Sequence, residues 1–168
     1  MSIQLIENVV IGLALVAYLV YRQLRWTGID RGSIWRLPIV LGIIGVINLS
    51  SMSKGTVVGA PDIAFIGIEL VIAVVIGLMM GKLTTFRTAA RPDSKGRVIE
   101  ARSGRAGAAL WVVLILVRVG LDVLGGVMGA HLLTATGVIL LTVAVSRAAS
   151  ALVIDSKLPQ AARTPIRR

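Results

Sequence analysis

Long apolar runs separated by short polar stretches set the pattern of the chain. A helix that crosses a hydrocarbon core of about 30 Å needs about 20 mostly apolar residues. Five runs approach that length: 3–21, 37–52, 62–81, 106–128 and 132–151. The first carries Glu7 near its start. The second has no formal charge between Arg36 and Lys54. Glu69 interrupts the third, Arg118 and Asp122 the fourth, and Arg147 falls late in the fifth. The pattern predicts an all-α fold: an integral membrane bundle of five transmembrane helices filling residues 1–154. One sizeable loop outside the bilayer is expected at 82–105, and a basic, disordered tail at 155–168. Pro38 is expected in the first turn of the second helix and Pro61 just ahead of the third, where a missing N–H costs little. The fourth and fifth runs are divided only by Gly125, Gly126, Gly129, Ala130 and His131. Leu114 to Ala151 is 38 residues, too long for one crossing, so a tight turn is expected there.

Composition narrows the class. Hydrophobic residues make up 56% and charged residues 15%, with a mean hydropathy of +0.89. Soluble domains run at about 45–50% apolar and about 25% charged. A soluble chain of this composition would expose aggregating apolar patches, which argues against a water-soluble globular enzyme. The chain has no cysteine, which removes disulfides, thiol nucleophiles and thiolate metal sites. Its one histidine, His131, cannot build a histidine metal cluster.

The net charge of +10 would suggest nucleic acid in a soluble protein. Its placement gives a different account. Arg22, Arg25, Arg31 and Arg36 follow the first run. Seven Lys and Arg lie between Lys82 and Arg105, and five more from Arg147 onward. Lys54 stands alone between the second and third runs. Alternate segments thus hold sixteen cationic residues and one. That asymmetry predicts an N-terminus outside and a cytoplasmic C-terminus, with no nucleic acid partner. Tyr21, Trp26, Trp35, Phe86 and Trp111 fall at or near the same cytoplasmic interface. The first run has no cationic residue before it and several after it, the reverse of a cleaved signal peptide, so it reads as a retained helix. Anionic lipid headgroups at the cytoplasmic face are the expected surroundings of the basic segments.

The loop at 82–105 centres on RPDSKGRVIEA, with turn residues Pro92, Asp93, Ser94 and Gly96. A short hairpin and an amphipathic stretch on the headgroups both fit. A catalytic domain does not, since so few residues cannot bury a core. Small residues recur at four-residue spacing as Gly77–Gly81 and Gly125–Gly129, a spacing that lets helix backbones approach.

Charges inside a bilayer are costly and so are candidates for function. Helix rise puts Glu69 about 10 Å from the outer face and Arg118 about 12 Å from it, with Asp122 one turn further out. Arg118, which cannot readily discharge, is therefore expected between Glu69 and Asp122. Glu7 and Asn8, Asn48, and His131 with Thr134 and Thr136 lie in the same outer half, so an outward-opening polar site drawing on Glu7 and Asn48 is expected. Two readings stay open. The carboxylates neutralise Arg118 and fix the packing, or the cluster lines a watery site for an ion, a proton or an anionic headgroup. No Ser/His/Asp set, paired catalytic acids or metal-spaced cluster is present, so no catalytic residue, metal or cofactor is expected.

YRQLR at Tyr21–Arg25, RLP at Arg36–Pro38, and a glycine-ended third helix leading into DSKGRV at Asp93–Val98 resemble, in that order, small multi-pass membrane proteins of actinobacteria in the CcdC-like group. The resemblance spans most of the chain. It implies a multi-pass protein of the bacterial cytoplasmic membrane. The group is associated with cytochrome c maturation, a thiol-dependent process, so for a chain without cysteine the resemblance implies an accessory at most. The expectation is a non-enzymatic accessory or assembly protein that binds another membrane protein or a second copy of itself. The alternative is a small transporter or ion-translocating protein that uses Glu69, Arg118 and Asp122.

Overall fold

A computed structural model describes residues 21, 24–52, 58–91, 97–130, 132–133 and 135–158. A short strand, β1 (Thr27–Ile29), precedes helices α1 (Arg31–Met52) and α2 (Ala60–Leu83). Strands β2 (Thr85–Thr88) and β3 (Ile99–Arg102) follow, then helices α3 (Gly104–Val127) and α4 (Thr136–Lys157). Each helix has 22 or 24 residues. At about 1.5 Å per residue that is about 33–36 Å, longer than a hydrocarbon core. All four are long and apolar enough to cross a membrane. The first apolar run, 3–21, with Glu7 and Asn8, lies outside the described residues except for Tyr21.

The helices outrun the apolar runs because local hydrogen bonding, not hydropathy, sets their ends. α1 starts six residues ahead of the expected boundary, at Arg31. Ser33 Oγ accepts from the Asp30 N–H at 3.1 Å and donates to the Asp30 carbonyl at 2.9 Å, a local bond pair that opens a helix. Pro38 is consequently inside α1, not in its first turn, and cannot donate to the Ile34 carbonyl. α2 starts with Pro61 in its first turn, and Asp62 Oδ2 accepts the Gly59 N–H at 2.9 Å.

The turn between α3 and α4 forms where the glycines predict it. Gly129 has φ +81°. The Ala130 N–H bonds the Gly125 carbonyl at 2.8 Å and the Gly129 N–H bonds the Gly126 carbonyl at 3.3 Å, the paired bonds of a Schellman cap. An alanine would carry a Cβ into the left-handed region, so Gly129→Ala is expected to lower stability by about 1 kcal/mol. Detergent-phase thermal melts check this; an unchanged midpoint contradicts it. α4 therefore begins at Thr136, not at residue 132.

α4 is the central helix. It packs on α1 and α2, and α2 packs in turn on α3. The contact with α2 is close because Gly77 and Gly81 lack side chains. A Cβ on Gly77 would fall 2.2 Å from the Ser146 carbonyl oxygen, and one on Gly81 would fall 2.7 Å from Val153 Cβ. Of the two glycine pairs in the sequence, this one makes a helix crossing and Gly125–Gly129 makes a cap.

α1 and α3 begin, and α2 and α4 end, at the end of the bundle that carries the three strands. β3 pairs antiparallel with both β1 and β2, giving the order β1-β3-β2. The hairpin alternative for the 82–105 loop is the one that forms, with its turn residues 92–96 outside the described set. A third strand from before α1 joins it. The helical class therefore holds with a small sheet added. Ile99 of β3 and Leu158 are buried together, against Ile29, Ile34, Phe86 and Ile154. The expected disordered tail thus starts too early. Residues 155–157 complete α4, Asp155 pairs with Arg31 at 3.1 Å, and Lys157 Nζ donates to the Lys82 carbonyl at 2.9 Å.

On the sheet, Arg87 lies 4.1 Å from the Trp26 ring centroid and its Nε bonds Glu100 Oε2 at 2.7 Å. Both contacts are solvent-exposed, so Arg87→Ala is expected to cost under about 1 kcal/mol. A larger loss on thermal melting would mean that the sheet depends on this side chain.

Candidate functional site

Antiparallel helices place charged residues at matching depths. Glu69 lies 14 residues before the end of α2, and Arg118 lies 14 residues after the start of α3. Both are therefore about 21 Å from the sheet end. Thr142 of α4 lies 15 residues before Lys157, at nearly the same level. Arg118 Nη1 donates to Glu69 Oε1, and Arg118 Nη2 donates to the Leu133 carbonyl in the turn before α4. Asp122 Oδ1, one helical turn along on α3, is 3.5 Å from Arg118 Nη2. Thr142 Oγ1 completes the group, donating to Glu69 Oε1 at 2.8 Å and lying 2.9 Å from the Val138 carbonyl.

The guanidinium thus joins α2, α3 and the turn before α4. Glu69 is almost fully enclosed, its side chain 3% exposed, against 14% for Arg118 and 24% for Asp122. The charged pair sits on the packed side of α3, and Asp122 is its more open edge. Enclosure of this kind raises the cost of any unpaired charge, so the partners hold one another in place. Glu69 Oε2 is buried without a hydrogen-bond partner among the described residues, as is Ser146 Oγ one turn beyond Thr142.

Not every expected member joins. Asn48 does not reach the cluster; its Nδ2 donates to the Ile44 carbonyl of its own helix at 3.1 Å. An amide in a helix facing little polar surface finds its acceptor one turn back. Glu7, His131 and Thr134 lie outside the described residues.

Three participants carry too little sequence signal to single out. Thr142 is one hydroxyl among several in an apolar helix. The Leu133 carbonyl is backbone. Asp62 reads as a helix-start residue, yet it is 2% exposed and ties two segments together. Its Oδ2 caps α2, and its Oδ1 accepts the Leu132 N–H at 2.9 Å across the α3–α4 turn. Asp62→Ala removes both acceptors and is expected to cost about 1–3 kcal/mol, read as a lower melting midpoint in detergent. A loss of a few tenths would mean that water replaces the carboxylate.

Among the described residues no group of three or more His, Asp or Glu is placed to hold a metal ion. The arrangement can lock helices together, and its unpartnered Glu69 oxygen can accept one proton or one donor. No protein-family model, curated protein or solved structure matches the chain.

Proposed function

We propose that the chain is a multi-pass protein of the bacterial cytoplasmic membrane that serves another membrane protein as a non-enzymatic accessory or assembly factor. Its N-terminus is outside and its C-terminus cytoplasmic. Four antiparallel helices of spanning length support the membrane reading. The gathering of Arg25, Arg31, Arg36, Lys82, Arg87, Arg97, Arg102 and Lys157 around the sheet end supports its orientation. The bacterial membrane and the accessory role follow from the resemblance to the CcdC-like group.

The observation that carries the non-transport reading is the enclosure of Glu69. Its Oε1 is taken by donors from two other helices at 3% exposure. A charge spent on holding helices together is not presented to a substrate. Purification in mild detergent tests the proposal. The expected result is one membrane protein retained at fixed stoichiometry through successive columns.

A small ion-translocating protein is the second reading, and the buried, unpartnered Glu69 Oε2 favours it. Its signature is pH-dependent flux in liposomes that is lost in Glu69→Gln. That flux, with no retained partner, overturns the accessory role.

A further inference from the structure

Three polar atoms deep in the bundle have no hydrogen-bond partner among the described residues: Glu69 Oε2 of α2, Ser146 Oγ of α4 and Trp111 Nε1 of α3. Their residues are 2%, 1% and 6% exposed. Ser146 differs here from other hydroxyls of the chain. Thr142, Thr84, Ser51 and Ser156 each bond a carbonyl three or four residues back, the ordinary partner of a helix hydroxyl. A buried polar atom without a partner bears its full desolvation cost, and three of them on three packed helices call for one common partner.

Their depths form a series. Glu69 lies about 21 Å from the sheet end, Ser146, 11 residues before Lys157, about 17 Å, and Trp111, seven residues after Gly104, about 11 Å. One water molecule that bonds two polar atoms spans about 5.5 Å, twice the length of an ordinary O–H···O bond. Each step of the series is close to that span. α2 and α4 run in the same direction, so the Glu69–Thr142 bond sets their register, and one turn nearer the sheet Ala73 comes opposite Ser146. Both of those side chains are small. Trp111 belongs to the cluster on which Val143 packs, and Val143 shares a face of α4 with Ser146.

The lower end of the series meets a cavity of about 300 Å³ at the sheet end. Arg147 lines that cavity and lies 4.7 Å from the Trp111 ring centroid. Met80 lines it and packs with Trp111. Ser150, one turn beyond Ser146 on α4, is in its wall as well. Charged groups along the whole line are Glu69, Arg118 and Asp122 of α3, and Arg147 of α4.

We propose that internal water molecules occupy the seam between α2, α3 and α4, bridging Glu69 Oε2, Ser146 Oγ and Trp111 Nε1, and that this seam opens to the sheet-end cavity. Buried waters of this kind make 2–4 hydrogen bonds to polar groups that otherwise lack them. The sequence points to an outward-opening polar site, whereas this route reaches Glu69 from the opposite end. It rests on neither reading of function. Joined to the ion-translocating one, it makes the sheet end the side from which Glu69 exchanges a proton.

Infrared spectroscopy of an introduced thiol tests it in the detergent-solubilised full chain, where the lack of native cysteine leaves the S–H stretching band free of background. Ser146→Cys puts the thiol in the seam. Ala144→Cys is the comparison, a 4% exposed position on the α1 side of the same helix, opposite Gly42. On transfer to deuterium oxide, the thiol at 146 is expected to exchange at least about tenfold faster than the one at 144. Ser150→Leu fills the mouth of the seam at the cavity and is expected to slow exchange at 146 about tenfold. Gly67→Leu adds bulk where nothing lies within 4 Å and is expected to leave that exchange within about twofold. Equal exchange at 144 and 146 means a dry seam and overturns the proposal. Fast exchange at 146 that Ser150→Leu does not slow brings the water from elsewhere and overturns the route. The thiol at 144 is also measured with Ser150→Leu in place; if it speeds up, the bundle has opened, and the smaller Ser150→Val gives the deciding comparison. Fast exchange at 146 in a protein without pH-dependent flux in liposomes supports the water seam and discards only the ion-translocating reading.

Discussion

Arg118→Leu is expected to destabilise the protein by about 3–5 kcal/mol, because it strands a carboxylate that the fold has removed from solvent. Glu69 is 3% exposed, and its strongest partner is Arg118. With the guanidinium gone, Thr142 is its one remaining donor among the described residues, and the Leu133 carbonyl loses its arginine donor as well. The double variant Glu69→Leu with Arg118→Leu is expected to recover most of the loss, since apolar groups of similar volume can replace a buried ion pair at little net cost. Unfolding titrations in mixed detergent micelles give both numbers. If Arg118→Leu is as stable as the parent, the cluster is not a structural lock, and the ion-translocating reading gains ground. If the double variant is worse than the single, the remaining partners, not the charge pair, set the stability.

Gly77→Leu is the second large effect. A Cβ at this position would fall 2.2 Å from the Ser146 carbonyl oxygen and 2.9 Å from Ala149 Cβ. Both belong to α4, and the nearer one is backbone, so rotamer changes cannot relieve the clash. The helices must separate, opening the α2–α4 contact that also carries the Glu69–Thr142 bond. A loss of about 1–3 kcal/mol or more is expected, the range for overpacking a closely fitted interior. Gly67 lies on the same helix with nothing within 4 Å of a built Cβ. Gly67→Ala is therefore expected to be neutral or to gain up to about 1 kcal/mol from helix propensity. Equal melting midpoints for the two variants would mean that α2 and α4 are not in close contact.

The sequence reading reaches furthest where one property decides. Four apolar runs become four helices because length and hydropathy alone determine whether a segment can span. Depth matching brings Glu69 and Arg118 to one level by helix rise alone, with Asp122 one turn along on the same helix. The Gly129 turn is legible because few residues accept its backbone conformation. The reading falls short where a partner distant in sequence decides. Thr27–Ile29 is too short to signal a strand, and it forms one only because β3, some seventy residues on, offers a free edge. Leu158 follows Lys157 in a polar stretch and is buried only because Ile99 arrives beside it. Asn48 has the polar, apolar-flanked signature of a site member, but helical geometry gives it a nearer acceptor in the Ile44 carbonyl. Thr142 joins because α4 crosses α2 at a glycine, a contact that no single-segment pattern encodes.

The orientation of the bundle is open to one direct measurement, and the absence of cysteine from the chain makes it clean. Single cysteines are introduced as Arg91→Cys beside the sheet and as Val58→Cys and Met128→Cys at the opposite end, all at exposed positions. Intact cells expressing each variant are treated with a membrane-impermeant maleimide, then lysed and probed for remaining thiol. The cysteines at 58 and 128 are expected to be labelled in intact cells, and the one at 91 only after lysis. Labelling of all three in intact cells, or of 91 alone, contradicts that orientation.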